Sequence, residues 1–209
     1  GHAYFIDGED KRAIKWALPS SEKSENFVPE GHWTSGLAYW RLGDKKTAGF
    51  HFEKAANLSF NDTWLHAAAA FWASRAFLVT HQPKKVLHYL RISASFPRTF
   101  YGLIAKKILG WEQNFNWGLP KHKSSTISTI IKFKKTKRAI ALLQIGENFR
   151  ADRELRNLAI ESDKTLNQGI LTIAAAGNLA SLAIRLDQKL FPNGGGFDSA
   201  TYPSAPWAP

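Results

Sequence analysis

Lys132 to Arg138 (KFKKTKR) places five cations in seven residues around a single phenylalanine. Such a run serves phosphate binding when its charges gather on one surface with aromatic or polar groups reading bases. Lying just before the apolar stripe that starts at Ala139, it reads as a solvated helix entrance rather than a nucleic-acid surface, with attraction to an anionic wall as an intermediate reading. Eight tryptophans raise the possibility of sugar stacking. Trp33, Trp40, Trp64 and Trp72 fall on apolar stripes and are expected in the core, whereas Trp111, Trp117 and Trp207 fall in loops, where an indole face is available for contact. The seven histidines do not form a His-Glu-x-x-His or similar ligand spacing, and His66, flanked by alanines, is expected to be packed or exposed rather than metal-bound. With no cysteine, disulfides, thiolate zinc sites and cysteine nucleophiles are excluded. There is no Gly-x-Ser-x-Gly elbow or phosphate loop, and Gly194 to Gly196 lacks the strand and helix of a nucleotide site. No cofactor is expected.

The chain that must position these residues has 209 residues, is 44% hydrophobic and carries a formal net charge of +11. That length buries a substantial core, and the charge favours an anionic partner: nucleic acid, a lipid surface or an acidic polymer. The longest apolar runs, such as Ala67 to Ala73, are far too short to span a bilayer. The start has no initiator methionine, charged n-region or apolar h-region, as expected of a mature or excised piece of a longer chain.

From about Gly31 to Phe191 the apolar spacing is helical, and no alternating β-branched run competes with it. The fold class expected is all-α. Trp33, Gly36, Leu37 and Trp40 share a stripe, Gly43 and Asp44 supply a cap at each side of a short turn, and Ala48, Phe52, Ala55 and Ala56 continue on the next helix. The same device returns 103 residues later: Gly36, Tyr39, Gly43, Ala48 and Phe52 align without a gap with Ala139, Leu142, Gly146, Ala151 and Leu155. Gly-x-x-Tyr followed by Ala-x-x-x-Phe is part of the tetratricopeptide signature, in which small residues let paired helices close up and the aromatic fills the groove. Further helices are expected over Asp62–Thr80 and Pro83–Ser95, with a last pair split at Gly177-Asn178. Stacked hairpins of this kind predict an α-solenoid occupying residues 1–191, followed by a Pro/Gly-rich linker or docking strap over 192–209.

Phe96 to Gly110 (FPRTFYGLIAKKILG) reads as one helix, with Pro97 at its first position, Lys106 and Lys107 at its negative end and Gly110 as the C-terminal cap. Gly102 interrupts it. An interior glycine costs about 1 kcal/mol relative to alanine, which predicts a close neighbour, expected here to be an adjacent helix, with Thr99, Phe100 and Tyr101 as helix-packing residues beside it.

Three stretches, GHWTSGLAYWRLGDKKTAGFHFEKAA, FWASRAF and above all FPRTFYGLIAKKILG with its Thr99-Phe100-Tyr101-Gly102, resemble the superhelical, non-catalytic region of soluble lytic murein transglycosylases. RAIALLQIGENFRADRELRNL resembles the helical pair that follows there, and YPSAPWAP the strap before the catalytic domain. The resemblance runs from about Gly31 to Pro209. It implies a periplasmic protein that binds peptidoglycan and whose own downstream catalytic domain cleaves the MurNAc-GlcNAc bond to a 1,6-anhydro product. The family's catalytic Glu-Ser follows Arg-Gln and precedes a Gly-Leu-Met-Gln. Here Glu161-Ser162 stands in LAIESDKTLN and the chain has no methionine, so the pair is a chance occurrence and no catalytic residue is expected. Trp111, Trp117, Tyr202 and Trp207 are the candidates for contact with glycan or with the catalytic domain. The alternative is a stand-alone tetratricopeptide-like adaptor that binds a protein or anionic partner through its concave face.

Overall fold

The structure is a computed structural model that describes residues 1–24, 28–58, 62–120, 124–161, 163–192 and 195–202, with backbone alone for 124, 125, 160 and 161. The described residues form thirteen helices and no strand, so the all-α expectation holds. They divide into two compact units, Gly1–Gln113 and Asn114–Pro209, where the sequence reading has one domain over 1–191.

The first unit contains α1 (His2–Ile6), α2 (Asp10–Lys23), α3 (Pro29–Arg41), α4 (Lys45–Leu58), α5 (Thr63–Val79), α6 (Pro83–Ala94) and α7 (Phe100–Ile108). From α2 to α7 each helix packs on the next, as in a stack of hairpins. The two helices before Gly31 were not read from the sequence. They are tied down at Arg41, whose guanidinium binds the Asp10 carboxylate at 2.8 Å and lies 4.1 Å over the Phe5 ring.

The α3–α4 hairpin is built as its spacing predicts. Gly43 adopts the left-handed conformation (φ 91°) that ends α3, and Asp44 accepts the Thr47 amide at 3.0 Å to start α4. Phe52 is fully buried, and a Cβ on Gly36 would stand 2.7 Å from its ring, so the ring occupies the space the glycine leaves. Ala48 is also fully buried in this cluster, and Tyr39 stacks on His51 at 5.4 Å. His51 and His32 bring their Nδ1 atoms within 3.1 Å across the two helices, one ring donating to the other. Burial first, and the neighbouring imidazole second, push His51 down to about 4, and burial also lowers His32. Both are neutral at pH 7, as a buried pair sharing one hydrogen bond requires.

The Phe96–Gly110 segment departs from expectation at its start. Pro97 lies in a turn, not in the helix; the amide of Thr99 closes that turn on the Phe96 carbonyl at 3.1 Å, and α7 begins at Phe100. Thr99 is the N-cap, its Oγ1 accepting the Gly102 amide at 3.0 Å and donating to the Phe96 carbonyl at 3.0 Å. Proline at the second turn position and threonine at the cap satisfy both residues better than a helix from Pro97. This capping turn folds back over Gly102. A Cβ there would strike the Phe96 carbonyl oxygen and come within 2.8 Å of Thr99 Oγ1, so the close neighbour is the chain's own cap and not an adjacent helix. Tyr101 packs inward, its ring tilted against Phe71 at 5.2 Å and its hydroxyl accepting from Trp72 Nε1 at 3.1 Å. Phe100, expected to be a packing residue, is 61% exposed because it occupies the first position of α7, pointing away from α5 and α6. At the far end Gly110 (φ 69°) caps α7 as expected, with the Trp111 amide bonded to Lys106 and that of Gly110 to Lys107.

Trp33, Trp40 and Trp72 pack on the core, Trp40 and Trp72 edge to face at 5.3 Å. Trp64 does not: it is 56% exposed. It sits in the first turn of α5, which at 17 residues outruns α4 and α6, so that Trp64 at one end and Val79 at the other overhang the core. His66 is packed, its ring 4.8 Å from Phe96.

The second unit contains α8 (Ser124–Ile130), α9 (Lys134–Gln144), α10 (Asn148–Glu161), α11 (Lys164–Ala176), α12 (Ala180–Leu190) and α13 (Asp198–Thr201). The α9–α10 hairpin repeats the local design of α3–α4, with Gly146 left-handed (φ 78°) and Ala139, Ala151 and Leu155 fully buried in one cluster. Leucine replaces the ring of Phe52 and alanine replaces Gly36, so the groove is filled either way. The segment read as a linker or docking strap carries α13, which packs on α11 and α12. Pro203 to Pro209, Trp207 included, lie outside the described residues.

Gly102→Ala tests the cap. Alanine in an exposed helix would gain stability, but here the added methyl must displace the Phe96 carbonyl, with an expected loss of about 1 to 3 kcal/mol. A urea midpoint that rises or stays put in the variant contradicts the assignment.

Candidate functional site

The second unit has an open groove of about 310 Å³ where the α11–α12 turn meets two irregular segments. Its floor is small and apolar: Ala174 and Ala175 from the end of α11, Leu179, Ala180 and Ala183 from the start of α12. Trp117, Leu119 and Tyr202 form its walls, 60%, 63% and 42% exposed respectively, and Asn178 and Ser199 add polar groups.

Each wall has an identifiable support. Asn178 holds the left-handed position (φ 53°) after α11, and the Leu179 amide returns to the Ala174 carbonyl at 2.9 Å, so the turn is a helix C-cap with asparagine where glycine is usual. Trp117 and Leu119 have no helix of their own. Their segment is held at Asn116, whose backbone amide donates to the Asp198 carboxylate at 2.6 Å, whose carbonyl accepts the Asp198 amide at 2.8 Å, and whose side chain donates to the Gly196 carbonyl at 3.2 Å. Ser199 Oγ adds a bond to the Gly118 carbonyl at 2.7 Å. The 196–202 segment is fixed in turn by Asp187, a fully buried carboxylate on α12 that accepts the Phe197 amide at 2.9 Å and the Thr201 hydroxyl at 2.7 Å. Gly196 must be glycine here, because a Cβ would land on the Asp187 carboxylate and the Phe191 ring.

Two buried carboxylates thus clamp two irregular segments onto one helical hairpin. A buried carboxylate is stable only when its oxygens are hydrogen-bonded, so Asp187 and Asp198 dictate the path of the chain around them. The groove that results offers aromatic faces, an alanine floor and neutral polar groups. These lining groups suit contact with a partly apolar surface that also offers hydrogen-bonding groups. Among the described residues there is no group of three or more His, Asp or Glu able to hold a metal ion.

Of the four contact candidates, the structure brings Trp117 and Tyr202 together in this groove. Trp111, 45% exposed, follows α7 in the first unit and is not among the lining residues. Trp207 lies outside the described residues, as do Ser162 and the side chain of Glu161. Asn116, Asp187, Asp198, Ser199 and Thr201 were missed. One signal was available: Ala183, Leu186, Asp187 and Leu190 share a helical stripe, so an acid occupies a core position. The Lys132–Arg138 run behaves as a helix entrance, with Lys132, Lys134, Lys137 and Arg138 exposed and Arg138 paired with Glu154 at 3.3 Å. No helix among the described residues is long and apolar enough to cross a membrane. No family model matches the chain, and neither a curated protein nor a solved structure matches it.

Asp198→Ala removes the clamp at one point. Charge-assisted bonds of this kind contribute about 1.5 to 3 kcal/mol, so amide exchange over residues 116–118 and 196–202 should accelerate about 10- to 100-fold while α9 and α10 keep their protection. Unchanged exchange at Asn116 would show that the carboxylate does not hold the groove together.

Proposed function

We propose that the chain is a helical scaffold segment of a periplasmic lytic murein transglycosylase, which binds peptidoglycan and positions it for cleavage of the MurNAc-GlcNAc bond by a downstream domain. The observation that carries this reading is the groove with Trp117 and Tyr202 on its walls. A pyranose ring has an apolar C–H face and a polar rim. Indole and phenol rings match the face, while an asparagine amide and a serine hydroxyl match the rim. The resemblance of the Thr99–Gly102 helix and its flanks to the superhelical region of the transglycosylases supports the substrate class.

A second reading, a tetratricopeptide-like adaptor for a protein or anionic partner, is favoured by the Gly36–Phe52 packing of the α3–α4 hairpin, which any such repeat would share.

Sedimentation with purified sacculi separates the two. The wild-type chain is expected to co-sediment, and Trp117→Ala to weaken binding about tenfold, the usual effect of removing a central aromatic contact. An adaptor would itself stay in the supernatant while the sacculi pellet, or would bind them equally well without Trp117.

A further inference from the structure

The turn between α8 and α9 is built in a way that helix stability does not explain. Ile130 at the end of α8 is fully buried and anchors the turn, with the Phe133 amide bonded to its carbonyl at 3.2 Å. The next residues turn outward: Ile131 and Phe133 are each 39% exposed, with Lys132 exposed between them and Lys134 exposed immediately after. The helix that follows has no side-chain cap and no acidic residue in its first turn. It opens instead with Lys134 and Lys135, then Lys137 and Arg138, the last paired with Glu154 at 3.3 Å, at the end where the helix dipole favours anions. Lys134 and Lys137 there oppose the dipole. The local sequence therefore concentrates charge at a cost to α9, around two apolar side chains that the core does not use.

We propose that this turn is a docking point for an anionic lipid surface, with Ile131 and Phe133 entering the headgroup region and Lys132, Lys134 and Lys137 bound to lipid phosphates. The charge is complementary to such a surface, and each lysine near an anionic leaflet adds about 1 kcal/mol of attraction. Composition favours lipid over nucleic acid. Single-stranded nucleic acid is held in a charged groove with several stacking aromatics, whereas this turn carries one aromatic ring and an aliphatic side chain. A short apolar tip ringed by cations matches the interfacial zone of a bilayer, where apolar groups sink a few ångström and amines stay at the phosphates. The attachment is peripheral, and it is independent of whether the groove at Trp117 binds glycan.

The test is co-sedimentation of the full chain with vesicles of phosphatidylcholine alone or mixed with phosphatidylglycerol. Binding is expected only to the anionic vesicles and should be nearly lost at about 1 M salt, where the Debye length falls to about 3 Å. Replacing Lys132, Lys134 and Lys137 together by Gln should weaken it about 100-fold, from roughly fivefold per lysine. Phe133→Ser should weaken it at unchanged net charge, and circular dichroism confirms that each variant is folded. Lys11, Lys15 and Lys23 replaced together by Gln in the first unit serve as the control for net charge alone. Equal loss in the control set, full binding by Phe133→Ser, or a preference for single-stranded RNA over vesicles would each overturn the proposal.

Discussion

The second unit depends on the requirement that a carboxylate removed from water be fully hydrogen-bonded. Asp187 sits on a core stripe of α12 with no exposure, and the bonds it needs come from Phe197 and Thr201, residues of an otherwise irregular segment. That places Asp198, whose carboxylate then captures the Asn116 amide from a second irregular segment 82 residues away in sequence. Trp117 follows Asn116 and Tyr202 follows Thr201, so the two aromatic walls of the groove are set by the same chain of bonds. Apolar packing contributes through Ala200 and Phe197, which join the core cluster, but it is non-directional, and the hydrogen bonds fix the path.

The first unit is held by a different constraint. Its helices approach through small residues, with Gly36 beneath the Phe52 ring, Gly49 a methyl's distance from Ala76, and an alanine-rich α5 buried among its neighbours. Here the packing is close, and the buried polar groups include the His32–His51 pair and Asp10, held by Arg41. Of its exposed tryptophans, Trp16 lies on α2, Trp64 on α5 and Trp111 just after α7. The division of labour is between a closely packed stack and a unit whose irregular segments carry the candidate site.

What the sequence made legible follows from locality. The turns at Gly43-Asp44 and Gly146 were readable because left-handed glycines and carboxylate caps act within a few residues. Helix type and the inward position of Phe52 and Ala48 followed from periodicity. Pro97 misled because proline fits both a helix start and a turn, and Thr99, two residues on, is the stronger cap. Gly102 was correctly read as a crowded position, but the crowding comes from its own capping turn, which apolar periodicity does not reveal. The clamp was hidden for the opposite reason: Asn116, Asp187 and Asp198 come from distant parts of the chain, and only the acid on the α12 stripe hinted at it. Proline and glycine content made residues 192–209 readable as a linker or docking strap, and Phe197 and Thr201 tie part of it to Asp187 on α12.

The central claim is that the Trp117–Tyr202 groove is a binding surface for peptidoglycan. The most direct measurement is a heteronuclear NMR titration of the full chain with a soluble disaccharide-peptide fragment of peptidoglycan, following the Trp117 indole and the amides of Asn178, Ser199 and Tyr202. The account predicts saturable shifts at these groups, while Trp16, Trp64 and the Lys132–Lys137 amides stay unmoved. A Trp117 indole that does not shift at saturating fragment, or shifts confined to other parts of the chain, would contradict it.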